Sequence, residues 1–229
     1  GGGPRGASGD VEVELQADRV GGGGGLGADR GPLGGGALCR RPVSGRGMSG
    51  GLSFVPLGVG DAFSARWYST CFLLEHGETR WLVDCPHPIL KILRESTASC
   101  GEPVEPSTVS GVILTHLHAD HCSGLESLAF YFYFALGRRL PIAAHPAVLR
   151  RLWDNHLAAG MDALLTAEGL TRKTFDDYFE AIPLSLDAPT ALGSFTVECH
   201  MTRHHVPTTA LRVSAGGQVW GYSADTSFD

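Results

Sequence analysis

Between Thr115 and His121 the chain reads Thr-His-Leu-His-Ala-Asp-His, placing four metal-capable side chains, His116, His118, Asp120 and His121, within a single short run. In an extended or tightly looped backbone His116 and His118 project to the same side, because side chains alternate with period two. Asp120 and His121 then turn toward a second position. Imidazole nitrogen with carboxylate oxygen suits zinc, with manganese or iron(II) as alternatives. Ions held this way polarise a carbonyl or phosphoryl oxygen and make water a nucleophile at neutral pH. One histidine alone would be read as an ordinary core or loop residue, whereas this ordered set points to ligands.

Such ligands need a rigid frame, and the surrounding pattern supplies one. Gly111–Thr115 reads as a compact buried strand running straight into the cluster. Upstream, Leu52–Val59 is a short apolar run. Cys71–Glu75 and Arg80–Asp84 form a hairpin about the turn His76-Gly77-Glu78-Thr79. Pro88–Glu95 has helical spacing, and Ser96–Ser110 is a loop rich in Pro, Ser and Thr. Downstream, Ser123–Arg139 is expected as one buried helix, Pro141–Ala144 as a strand, and Ala147–Ala159 and Thr171–Glu180 as helices, so that 146–180 forms a helical insert. Four strands follow, over Ala181–Leu186, Ser194–Met201, Thr209–Ser214 and Gln218–Tyr222, with Gly216-Gly217 turning the last hairpin. The order suggests a layered α/β sandwich of mixed, mostly antiparallel sheets.

Residues 1–50 hold 18 of the 32 glycines, including Gly21–Gly25, and lack apolar periodicity, so the expectation is a disordered Gly-rich leader ahead of a folded domain over 51–229. Met48 just before the patterned part suggests upstream sequence ahead of a natural start, and no secretory signal is recognised. No run approaches the roughly 18 apolar residues of a membrane span. The formal net charge is −6, and Lys91 and Lys173 are the only lysines. A protein gripping a nucleic acid backbone presents a basic face, so this balance argues against a large nucleic acid partner. The six cysteines, Cys39, Cys71, Cys85, Cys100, Cys122 and Cys199, include no C-x-x-C pair and read as reduced thiols, which makes a cytoplasmic location the expectation.

The H-x-H-x-D-H run after a strand resembles the signature of the metallo-β-lactamase superfamily, and Trp81-Leu82-Val83-Asp84-Cys85 resembles that family's apolar strand ending in an Asp that supports the site. The resemblance implies a four-layer αββα sandwich and a site for two divalent metal ions, zinc first. It also implies later ligands. The stretch His204-His205-Val206-Pro207 and the strand carrying Arg212 look like the ribonuclease Z-type segment, in which the ligand is His204 or its neighbour His205, with His204 preferred. Trp220–Thr226 resembles the strand leading to a bridging Asp, here Asp225. The family's last His ligand has no counterpart after Asp225, so the expectation is a domain whose second half is incomplete. His87, His145, His156, His200 and Cys122 are read as loop, capping or structural residues.

What the resemblance implies for function is a metal-dependent hydrolase in which a hydroxide activated by two metals attacks, the water pKa being lowered toward about 7. Asp120 would ligate and take the catalytic role of orienting the nucleophile. The segment after His204 favours the phosphodiesterase branch, and the charge balance favours a small phosphodiester or ester over RNA. Two alternatives stand beside this: a tRNA 3′-processing endonuclease, and an inactive metal-binding member acting as an interaction subunit. A homodimer is a further expectation.

Overall fold

The structure, a computed structural model, describes residues 50–99 and 101–227. The Gly-rich leader, Met48, Cys39 and Cys100 therefore lie outside the described residues, Gly50 excepted.

Strands β1 (Ser53–Gly58), β2 (Cys71–His76), β3 (Thr79–Val83), β4 (Gly111–Ile113) and β5 (Leu140–Ala144) come first, followed by the pair β6 (Ala163–Thr166) and β7 (Gly169–Arg172). Then come β8 (Phe179–Pro183), β9 (Thr190–Leu192), β10 (Phe195–Met201), β11 (Thr209–Ala215) and β12 (Gln218–Tyr222). Helices α1 (Ile89–Ala98), α2 (Ala119–Cys122), α3 (Leu125–Phe130), α4 (Pro146–Leu152), α5 (Ala158–Met161) and α6 (Phe175–Tyr178) lie between them. One sheet has the order β1-β2-β3-β4-β5-β8, a second β12-β11-β10-β9, and β6-β7 stands apart as a hairpin. The pairings β3-β4, β4-β5 and β5-β8 are parallel and the others antiparallel. This is the mixed, mostly antiparallel α/β architecture expected from the sequence.

Period-two alternation divides the core into two slabs. From the first sheet Leu73, Leu82, Val112 and Ile142 face the helices, meeting Ile89, Ile92, Leu125, Leu128 and Phe132. Their neighbours Leu74, Trp81, Val83, Ile113 and Ala143 point the other way, against Phe195, Val197, Leu211, Val213 and Trp220 of the second sheet. Burying a Leu or Ile side chain stabilises by about 1.5–3 kcal/mol, so both slabs hold the strand ends firmly. Outward residues of the second sheet, Thr196, His200, Arg212 and Val219, are exposed, and among the described residues no helix follows β9. Three of the four expected layers are thus described.

Both hairpin turns are as expected. Gly216 and Gly217 have φ of +56° and +77°, the two positive values that a tight two-residue turn between twisted strands requires. Several elements differ from expectation. The helix expected over Thr171–Glu180 is only α6, capped by a reciprocal box in which Thr174 and Asp177 bond each other's backbone. On either side the chain is strand, because Thr171 and Arg172 pair with β6 while buried Phe179 is drawn into the sheet beside β5. The 146–180 insert is accordingly helical as far as Met161 and again only over α6. The buried helix over Ser123–Arg139 is α3 followed by a π-turn over Tyr131–Ala135. The strand expected over Ala181–Leu186 starts earlier, at Phe179, and ends at Pro183.

Gly124, at the head of α3, donates its N–H to the Cys85 carbonyl at 2.7 Å. A Cβ there would press on the carbonyl oxygens of Pro86 and Cys85, both backbone. Gly124→Ala should therefore destabilise the protein by about 1–3 kcal/mol in urea unfolding, the usual range for overpacking.

Candidate metal centre

The site is built where the two sheets meet. The first sheet sends β3 to Asp84 and β4 to Thr115 and His116, and α2 begins at once after His118. The second sheet contributes the β10–β11 loop with His204 and the segment after β12 with Asp225. Threonines tie these segments together, Thr209 across the two sheets and Thr202 within the second. Thr209 N–H and Oγ1 donate to the Thr115 carbonyl at 3.3 and 3.4 Å, and Thr202 Oγ1 donates to the Asp225 carbonyl at 2.8 Å. Ala224, at φ +52°, turns the chain so that Asp225 follows in the site.

Asp84 is fully buried and sits at φ +61°. Its Oδ1 accepts the Thr115 N–H at 2.9 Å, and both its oxygens lie within 3.0 Å of the Thr115 hydroxyl. Its Oδ2 lies 2.8 Å from His121 Nδ1. Since the Thr115 proton is given to Asp84, its oxygen accepts from His116 Nδ1, 2.9 Å away. Both imidazoles therefore carry Nδ1–H and turn a bare Nε2 into the site, the arrangement by which a carboxylate fixes a ligand tautomer. Burial pushes the Asp84 carboxyl above its usual range, opposed by the bonds from His121 and Thr115. For His121, burial acts downward, but contact with Asp84 outweighs it and raises proton affinity. Burial and then neighbouring imidazoles lower His116 to about 3, so it is neutral at neutral pH. The same causes, burial and then His204 and His205, lower His118.

The six residues expected at the site come together in two groups. His118 Nδ1 lies 3.1 Å from both His116 Nε2 and His204 Nε2. Asp225 Oδ2 is 3.7 Å from each of those two nitrogens. One ligand atom from each of these four residues falls within 4.8 Å of the others, so the group could hold a metal ion. Three nitrogens around so small a space fit a tetrahedral cation, whose ligand nitrogens at about 2.0–2.1 Å from the ion stand a little over 3 Å apart. On the other side, His121 Nε2 is 3.5 Å from both Asp120 Oδ2 and Asp225 Oδ1. The two Asp225 oxygens thus face different groups. His205, next to His204 in the chain, is exposed and outside the four-residue cluster, although its ring centroid lies 4.6 Å from that of His118. The site is closed at His116, 0% exposed, and open at Asp225, 41% exposed.

The remaining histidines stand elsewhere. His145 caps α4 by accepting the Ala147 N–H, His87 and His200 are exposed, and His156 Nε2 contacts the buried Cys122 Sγ at 3.3 Å. Cys71, Cys85, Cys122 and Cys199 are free thiols, and burial pushes Cys122 up to about 12. Sequence reasoning missed Thr115, Thr202, Thr209 and Tyr222. Burial, then the Asp84 and Asp225 carboxylates, raise the Tyr222 phenol far above its usual value. The one available signal was Thr115 directly before His116.

Asp84→Asn keeps the shape and tolerates the left-handed backbone, since Asn adopts positive φ more readily than most residues. It removes the charge that orders His116 and His121. The variant should fold and bind zinc about 10–100-fold more weakly in a chelator competition titration.

The family described as Anti-Pycsar protein Apyc1 matches residues 52–229. An anti-Pycsar protein Apyc1 of Bacillus phage 010DV004 is 32% identical, covering 78% of this chain and 70% of that protein. One from Paenibacillus xerothermodurans is 30% identical, covering 78% and 67%. Among solved structures, the metallo-β-lactamase fold protein YhfI from Bacillus subtilis superposes with a TM-score of 0.61 at 24% identity, over 79% of this chain and 65% of that one. Human tRNase Z, short form, superposes with a TM-score of 0.52 at 18% identity, over 75% and 68%. The chain therefore spans about two thirds of the length of the proteins it matches, and these two structures establish the fold alone. With the family match running from Leu52 through the site to Asp225 and beyond, and with relatives at 30% identity or more over three quarters of its length, this chain belongs to the anti-Pycsar protein Apyc1 family, on a metallo-β-lactamase fold.

Proposed function

We propose that this chain is a metal-dependent phosphodiesterase acting on a small cyclic nucleotide, the substrate class suggested by the anti-Pycsar description of its relatives. The observation that carries the reading is Asp225, whose Oδ2 faces His116 and His204 while its Oδ1 faces His121 beside Asp120. That is the disposition of a carboxylate shared between two cations. Two divalent ions, zinc first, would be held by His116, His118 and His204 on one side and by Asp120 and His121 on the other, with Asp225 common to both. When bound they supply Lewis acidity toward a phosphoryl oxygen and a water that ionises near neutral pH.

The protein's own groups do the positioning. His116 and His121 present lone pairs because Asp84 and Thr115 hold their other nitrogens. Asp120, partly exposed at the open side, orients the attacking water and accepts its proton. Attack forms one P–O bond and breaks the ester P–O bond, and the departing oxygen takes up a proton. The acidic balance and scarcity of lysine favour a small substrate over a large nucleic acid. Among the described residues, no helix is long and apolar enough to cross a membrane.

Metal-loaded protein should open cyclic mononucleotides and hydrolyse bis-p-nitrophenyl phosphate, lose both activities to a chelator, and regain them with Zn²⁺ or Mn²⁺. Asp225→Ala should lower kcat by a factor on the order of 10²–10³, the scale of losing one electrostatic contact to a transition state. Turnover of a lactone, a thioester or precursor tRNA in place of the cyclic diester would overturn the assignment, as would full activity in metal-free protein.

A further inference from the structure

His205 belongs to neither ligand group, yet it is not a random surface histidine. Its exposed ring lies 4.3 Å from that of His204 and 4.6 Å from that of His118, at tilts of 52° and 39°. The loop carrying it is held from several sides. Thr202 N–H donates to the Thr208 carbonyl at 2.9 Å, Thr208 Oγ1 to the Val206 carbonyl at 2.9 Å, and Ser227 N–H to the Arg203 carbonyl at 2.8 Å. Pro207 stiffens the same stretch. On a loop held in this way, His204 is partly buried in the cluster and His205 is exposed at its edge, against the rings of His118 and His204.

Asp120, Asp225 and the bare nitrogens of His116 and His121 are acceptors or lone-pair donors, and the Tyr222 phenol, which burial and the Asp84 and Asp225 carboxylates keep protonated, is a partly buried O–H on the β12 side. A phosphodiester brings non-bridging oxygens, which need hydrogen-bond donors. An imidazole carries at least one N–H in either protonation state, so His205 can meet that need without a change of charge. We infer that His205 contacts the substrate, donating a ring N–H to a phosphoryl oxygen beside the metal centre, and sets affinity for the phosphate group. This rests on the phosphodiesterase reading for its substrate, but the contact itself can be measured without turnover.

The test uses the zinc-loaded 229-residue chain and inorganic phosphate as the probe in calorimetric titration, with metal content and bis-p-nitrophenyl phosphate kinetics measured in parallel. His205→Ala should keep two metals per chain, weaken phosphate binding about tenfold and raise KM to match, with kcat within about twofold, as expected for losing one binding contact. His205→Gln, which keeps an N–H, should recover part of the affinity. His205→Phe, which keeps only the ring, should not. Wild-type phosphate affinity in His205→Phe overturns the contact, and lost metal in His205→Ala makes His205 a ligand instead. If wild-type protein turns over no diester while His205→Ala still weakens phosphate, the phosphodiesterase reading fails and the His205 contact stands.

Discussion

A single buried carboxylate organises the centre. Asp84 sits at the end of an apolar strand, on a backbone twist that a non-glycine residue rarely adopts, with no access to solvent. A charge in such a place is tolerated only when its lone pairs are met, and here Thr115 and His121 meet them. The same bonds dictate which nitrogen of His116 and His121 carries the proton. Tautomer and ring orientation thus descend from one residue that lies outside both groups of candidate ligands.

The rest of the fold exists to bring two further side chains to that carboxylate. The first sheet alone offers four candidate ligands, and the second offers His204 and Asp225. Packing between the sheets, through Val83 and Ile113 against Val213 and Trp220, sets their spacing. Threonine-to-carbonyl bonds then fix it locally. Apolar burial is non-directional and brings the halves close, whereas the hydrogen bonds select the angle. The fold is shared with proteins of different description, so any activity resides in the residues at this seam and not in the fold.

Much of this was legible in the sequence because it is local. His116, His118, Asp120 and His121 follow one strand, and the Gly77 and Gly216-Gly217 turns announce their hairpins. Asp84, His204 and Asp225 could be placed through resemblance to a family pattern. The unread parts depend on partners far along the chain. Thr209 meets Thr115 across a separation of 94 residues, which no local pattern encodes. The β6–β7 hairpin was missed because its strands are short and Leu165 and Leu170 face solvent, leaving no alternation to read. Thr171–Glu180 carries a helix-compatible pattern, but buried Phe179 gains more by joining the sheet.

The place of Asp225 between the two groups has a consequence for how metal would be taken up. It follows the left-handed Ala224, is tied by Thr202, and is followed by the Ser227–Arg203 bond. Were a cation held in each group, this one carboxylate would be divided between them, and the charge it lends to one would be reduced by the other. Filling one position would then change the affinity of the second, and the protein would respond to ambient metal as a coupled pair and not as two independent sites.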